Sequence, residues 1–325
     1  MKLDWLRQHL PFANGIASHD TFGRVFSLLD AQQFEACFMG WIGTLCPSLA
    51  GQHIAIDGKC VRGSHDGKHS AIHLVSAWSS TSGLTLGQVK TADKSNEITA
   101  IPALLSALDI QGSIITIDAM GCQHEIADKI VQGGADYVLG VKDNQPGLAE
   151  AVKLWFDAAT AGQLDRPFWD DIRTEKDHGR IETRRCLVTD DVAWLQQQNQ
   201  HWSGLRSLIM IESTREIIGR NSTGIASVER RYYISSLPAK ATLLGNTVRA
   251  HWGIENSMHW VLDVAFREDD CRIRVGEAAQ NFAILRRIAL NLLKQDTSTK
   301  LGIATKRLKA GWNVAYLAKL LGLKK

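Results

Sequence analysis

Three acids in this chain have neighbours and spacing that could do chemistry. Glu255 lies in RAHWGIENSMHWVLDVAFREDDCRIR, residues 249–274, where two His and two Trp flank it. Asp57, in IAIDGKCVRGS, and Asp118, in IITIDAMGCQ, each close a short apolar run. A hard divalent cation such as Mg2+ prefers oxygen ligands and is held by a few carboxylates plus water and substrate phosphate oxygens. Two such ions can activate an attacking oxygen and stabilise a leaving one in phosphoryl transfer. Three acids brought together would suit that reaction. Each also has a plainer reading. Asp before Gly suits a turn, Asp before small residues suits a helix N-cap, and Glu255 suits an amphipathic helix.

Helical spacing sets His251, Glu255 and His259 on one face, which raises zinc as a rival. The zinc-protease pattern HExxH is absent, however, and the two His are two turns apart, so both would struggle to reach one ion. Trp252 and Trp260 are expected in the core, with stacking on a DNA base as the lesser option.

The elements that must position these acids follow from periodicity. Residues 1–50 read as helices, with Ser18 as a cap and Phe34, Phe38, Trp41, Ile42 and Leu45 at helical spacing. Strands are expected over 53–57, 71–78, 84–90, 113–118 and 137–141, and helices over 96–108, 123–132 and 146–158. Hairpin-joined strands followed by βα units imply an α/β fold, a mixed sheet with helices on both faces. Sites on such sheets lie at the carboxyl ends of strands, where Asp57 and Asp118 fall. Residues 162–237 read as a β-rich insertion, with a small sheet of its own. After Pro238 the chain is helical, and 249–274 reads as one long helix.

Bulk properties narrow the partners. The chain has 325 residues, 45% of them hydrophobic and 22% charged, with a net charge of +3, as for an ordinary globular protein. From Arg286 to Lys325 ten Lys or Arg face the single acid Asp296. Such a basic helical tail, about 276–325, suits a polyanion or is simply a solvated face. Six scattered Cys without CxxC spacing fit a reducing cytoplasm. The N-terminus does not read as a signal peptide, and no apolar run is long enough for a membrane span.

Smaller polar clusters could meet DNA. Lys59 and Arg62 follow Asp57. Lys142, Asn144 and Gln145 end a strand in GVKDNQP. Arg180, Arg184 and Arg185 crowd DHGRIETRR. Arg249, His251 and Trp252 precede Glu255, while Lys306 and Arg307 lie in the tail. The GVKDNQP and DHGRIETRR clusters each have an ordinary polar-turn alternative.

Taken together, the chain resembles the insertion-sequence DDE transposases of the H-repeat-associated type. The stretches that carry the likeness are GIASHDTFGRVFSLLD (15–30), IAIDGKCVRGS (54–64), ITIDAMGCQ (115–123), YVLGVKDNQP (137–146), DHGRIETRR (177–185), RYYISSL (231–237), HWGIENSMHWVLDVAFREDDCRIR (251–274) and KRLKAGWNVAYLAKLLG (306–322). The resemblance implies an RNase H-like catalytic domain over 51–325, with the β-rich insertion between the second Asp and the Glu. It implies Asp57, Asp118 and Glu255 as a triad holding Mg2+ or Mn2+. It also implies cleavage at element ends, attack of the freed 3′-hydroxyl on target DNA, no covalent protein–DNA intermediate, and a homodimer on DNA. The helical region 1–50 is expected to be a shortened form of a longer one. The pattern Tyr-x2-Arg-x3-Glu-x6-Lys of related enzymes is replaced here by Val248, His251, Glu255 and Leu262. The rival readings are a nuclease of the same fold and a transposition-incompetent DNA-binding remnant.

Overall fold

The computed structural model describes residues 2–65, 67, 70–91, 97–177, 179–197, 201–218 and 223–323. Three helices open the chain: α1 (Leu3–Arg7), α2 (His19–Leu28) and α3 (Ala31–Leu45). Ser18 caps α2 by accepting the Thr21 N–H, and Asp30 caps α3 by accepting that of Gln33. Phe38 and Ile42 of α3 enter the main core.

The α/β core follows as β1 (His53–Cys60), β2 (His73–Ser79), β3 (Thr85–Thr91), α4 (Glu97–Ala107), β4 (Ile114–Ile117), α5 (His124–Gln132), β5 (Asp136–Val141) and α6 (Pro146–Thr160). The expected start of α4 at Asn96 lies outside the described residues. Strands β1, β2 and β3 pair antiparallel, while β4 joins β1 and β5 joins β4 in parallel. The spatial order β3-β2-β1-β4-β5 is the RNase H-like arrangement.

Alternation along these strands divides two environments. Ile54 and Ile56 of β1 and Ile115 and Ile117 of β4 enter the main core. Ala55 turns the other way, against Ile254, Met258 and Leu262, so Asp57 shares the face on which the Glu255 segment lies.

The insertion supplies β6 (Trp169–Asp177), β7 (Arg180–Thr189), α7 (Ala193–Gln197), β8 (Ser207–Ile218) and β9 (Thr223–Ser235). It does not make a separate sheet. Antiparallel pairing of β9 with β5 continues the core into one nine-stranded sheet, ordered β3-β2-β1-β4-β5-β9-β8-β7-β6. The free edge of β5 offers unpaired backbone groups, and β9 covers them.

The stretch 249–274 also differs from one long helix. Helix α8 (Ala241–His251) gives way to a π-helical turn, Glu255–His259, then to α9 (Trp260–Phe266). Arg267, at φ 53°, ends α9 in the left-handed region, and 267–277 is irregular. Helices α10 (Ala278–Gln295), α11 (Ile303–Trp312) and α12 (Val314–Leu320) complete the chain. No helix among the described residues is long and apolar enough to cross a membrane.

Helix α10 guards edge strand β3. Fully buried Asn291 accepts the Thr85 N–H at 3.0 Å and donates to the Thr85 carbonyl at 2.9 Å, as a neighbouring strand would. Asn291→Leu strands both backbone groups, and each buried unpaired group costs about 1–3 kcal/mol. The urea midpoint is therefore expected to fall with an unchanged slope.

Candidate active site

The parallel register of β1 and β4 ends at Ile56 opposite Ile117, so the next residues, Asp57 and Asp118, stand abreast. Adjacent strands are about 4.8 Å apart. Strand β1 does not stop at Asp57. It runs on to Cys60 because β2 continues to pair with it, whereas the shorter β4 ends just before Asp118. Asp57 therefore projects from mid-strand and Asp118 from a strand end. Asp57 Oδ1 accepts the Gly58 N–H at 2.9 Å, and Asp118 Oδ1 accepts the Met120 N–H at 3.1 Å, capping a short turn. Gly140 lets that turn pack down: a Cβ there would meet Ala119 N at 3.1 Å.

Glu255 arrives from across the insertion. His251, four residues earlier, bonds Thr116 through Nδ1 at 2.9 Å, tying this helix to the strand that delivers Asp118. Gly253 allows close approach, since a Cβ would lie 2.5 Å from the Trp78 ring. The π turn begins at Glu255, with Trp260 N–H reaching back to the Glu255 carbonyl. Such turns widen a helix and often occur at functional sites. Asp57, Asp118 and Glu255 line one cleft of about 600 Å3 with Lys142, His251 and Trp252.

The electrostatics suit a cation. Burial pushes the Asp57 carboxyl up to about 7, and the Asp118, Glu255 and Glu97 charges push the same way against the Gly58 N–H. Burial also raises Asp118, with Glu97 adding to it. Among the described residues no Lys or Arg forms an ion pair with Asp57, Asp118 or Glu255. A divalent cation would relieve this repulsion. Among those residues no group of three His, Cys, Asp or Glu forms a ready-made cage. The donors fit an open oxygen site completed by phosphate and water. They do not fit zinc: His251 is turned to Thr116, and His259 Nδ1 lies 3.5 Å from Asp57 Oδ2. Burial, aided by Arg287 and Lys59, lowers His259 to about 3, so that contact is with a neutral imidazole.

The residues expected at DNA divide. Lys142 is exposed at the cleft, and Trp252 forms its wall under the Arg231 guanidinium, 4.6 Å from the ring centroid. Arg180, Arg184 and Arg249 line an adjoining cleft. Arg62 is exposed beside Asp269. Arg307 is exposed over Phe266. Others face inward. Lys59 is buried between Asp263 at 2.8 Å and Asp269 at 2.9 Å. Lys306 is buried and bonds the Leu293 carbonyl at 3.1 Å, closing the end of α10. Asn144 and Gln145 donate to the Cys122 carbonyl and hold the loop after Asp118. His251 is taken up by Thr116. Trp260, expected in the core, is 61% exposed, because the π turn rotates the helix between it and Trp252.

Glu97 was not singled out in the sequence. It is buried, hydrogen-bonded to His73, and covers Gly58, where a Cβ would lie 2.3 Å from its Oε1. Nothing in its spacing marked it, because long-range packing alone brings α4 over β1. A larger hollow of about 1190 Å3 lies between α3 and β3, but its buried acid, Glu35, caps the Gln88 N–H of the sheet edge.

Two solution tests follow from these groups. Folded Asp57 keeps its proton to about pH 7, whereas an unfolded Asp loses it near 3.8. Its contribution to stability is therefore full below about 3.8 and is lost as pH rises through 7. Without divalent cation at pH 8, Asp57→Asn should exceed the parent by on the order of 2 kcal/mol. That advantage should vanish near pH 4, and added Mg2+ should raise the melting temperature of the parent alone.

Burial depresses His251 to about 4, against 6.5 when unfolded. The unfolded chain then binds the proton first, so stability is lost as pH falls from 6.5 towards 4. His251→Gln should flatten that part of the profile in urea titrations.

Known proteins resemble this chain over most of its length. A family model described as the transposase DDE domain matches residues 48–292, and one for a segment associated with that domain matches 1–42. The Escherichia coli (strain K12) protein YbfL is 44% identical over 322 residues, 98% of this chain and 84% of YbfL. YhhI of the same strain, named as a candidate H repeat-associated transposase, is 43% identical over 322 residues, again 98% of this chain and 84% of YhhI. YncI of Escherichia coli O157:H7, named as a candidate transposase, is 43% identical over 323 residues, 98% of this chain and 82% of YncI.

Proposed function

The chain belongs to the DDE transposase family, and on that premise we propose that Asp57, Asp118 and Glu255 are the catalytic triad of a DNA transposase, binding Mg2+ or Mn2+. The enzyme cuts DNA at the ends of an insertion sequence and joins those ends to target DNA. One observation carries the assignment: acids from β1, the end of β4 and the π turn line a single cleft. Divalent cations bound there supply activation of the attacking oxygen and stabilisation of the leaving oxygen.

The protein's own groups do the positioning. The Gly58 and Met120 N–H groups orient Asp57 and Asp118. The His251–Thr116 bond holds the Glu255 helix in register with β4. Lys142 stands at the cleft where a phosphate oxygen would lie, and charge-assisted bonds of that type are strong. Pairing two element ends in one reaction calls for two copies of the chain on DNA.

Glu255→Gln keeps the shape of the side chain and removes its charge. Cleavage of DNA bearing the element's ends, with Mg2+ or Mn2+, is expected to fall by more than about 100-fold, since even supporting shells contribute 10–100-fold to metal sites. DNA binding should be unchanged. Cleavage equal to the parent's would sink the assignment.

A further inference from the structure

One face of the insertion carries more charge than sheet stability explains. Along β6 and β7, Arg173 lies directly opposite Arg184, and Glu175 directly opposite Glu182. Like charges directly opposite each other destabilise an antiparallel pair. The repulsion is offset by one diagonal pair and by further pairs along the strand and from α8. Arg184 donates to Glu175 at 2.8 Å and lies 2.7 Å from Glu182. Arg249, from α8, reaches the same Glu175 at 3.3 Å. On β9, Arg231 bonds Glu229 at 2.8 Å.

These side chains line a cleft of about 400 Å3 between the insertion and the end of α8. It adjoins the triad cleft. Glu229, Arg231, Tyr233, Val248 and Trp252 line both, with Arg231 lying over Trp252 as the partition. Arginine forks match phosphate as well as carboxylate. Arg249 and Glu175 are more than half exposed, so an incoming anion can reach them.

We propose that this arginine cleft binds the phosphodiester backbone of the DNA strand that runs out of the triad cleft, with Glu175 and Glu182 occupying the arginines until phosphates displace them. Arg184 and Arg249 hold phosphates, and Arg231 connects the two clefts. The carboxylates keep the cleft from binding DNA indiscriminately, because each phosphate contact must first break an internal pair. This assignment rests on the reading of the chain as a protein that acts on DNA.

The test is fluorescence anisotropy of the full chain with a labelled DNA duplex in EDTA, across a series of salt concentrations. Arg184→Ala and Arg249→Ala should each weaken binding about tenfold and lower the log–log salt slope by about 1. Glu175→Gln and Glu182→Gln should tighten binding several-fold, which a purely structural role would not do. Arg185→Ala, on the opposite face of β7 and paired with Asp170, should leave binding and slope unchanged. Melting temperatures identify any variant that fails to fold, and the Glu→Gln pair retains the test if an Arg variant does.

The cleft assignment is overturned if folded Arg variants bind like the parent, if the Glu→Gln variants do not tighten, or if Arg185→Ala weakens binding equally. Failure of the parent to bind DNA at all would instead overturn the reading of the chain as a DNA-acting protein.

Discussion

The parallel pairing of β1 with β4 is the constraint on which the rest depends. It forces two carboxylates to stand abreast on a partly buried face, where burial and mutual repulsion hold Asp57 up to about 7. The chain tolerates that pairing only because the rest of both strands is well packed. Ile54, Ile56, Ile115 and Ile117 are buried in the main core, and together they resist the separation that repulsion would favour. Carboxylates that repel one another are thus held side by side by apolar burial on the far side of the same strands.

The third acid depends on a different kind of attachment. Glu255, like Asp118, is exposed, and among the described residues its side chain makes no hydrogen bond or ion pair. Its helix is held instead by Ile254 and Met258 in a small core with Ala55 and Trp78, by the absence of a Cβ at Gly253, and by His251 on Thr116. Beyond α9 the irregular segment is anchored by Glu268 on fully buried Arg287 at 2.9 Å and by Asp269 on Lys59, the lysine that Asp263 of α9 also holds. Buried pairs like these lose far more when one partner is removed than they add to stability when intact. They tie the segment that follows the Glu255 helix to α10 and back to β1.

Much of the architecture was legible from local signals. Short alternating runs marked the core strands, and the Ser18 cap marked the start of α2. Trp169–Asp177 was missed as a strand because it reads as polar, WDDIRTEKD, and four of its nine pairing partners are charged too. Charge counting alone does not say what each lysine of the tail does. Of its ten basic residues, Lys306 and Lys319 converge on buried Asp296, which Tyr316 also bonds, so the excess charge there partly serves to close α10 onto α11 and α12.

Residue type and spacing by themselves determined the α/β class, the order of the core strands along the chain, and the three acids worth joining, because apolar periodicity and capping are local properties. Tertiary structure decided the rest. The insertion continues the main sheet because β5 had an edge to cover. Residues 249–274 break into α8, a π turn and α9 because Glu255 must face a cleft while Ile254 and Met258 face the core. Which cations face solvent and which are closed inside the protein follows from contacts between residues as far apart as Lys59 and Asp269. Such pairings arise only when distant segments pack, and no local pattern encodes them.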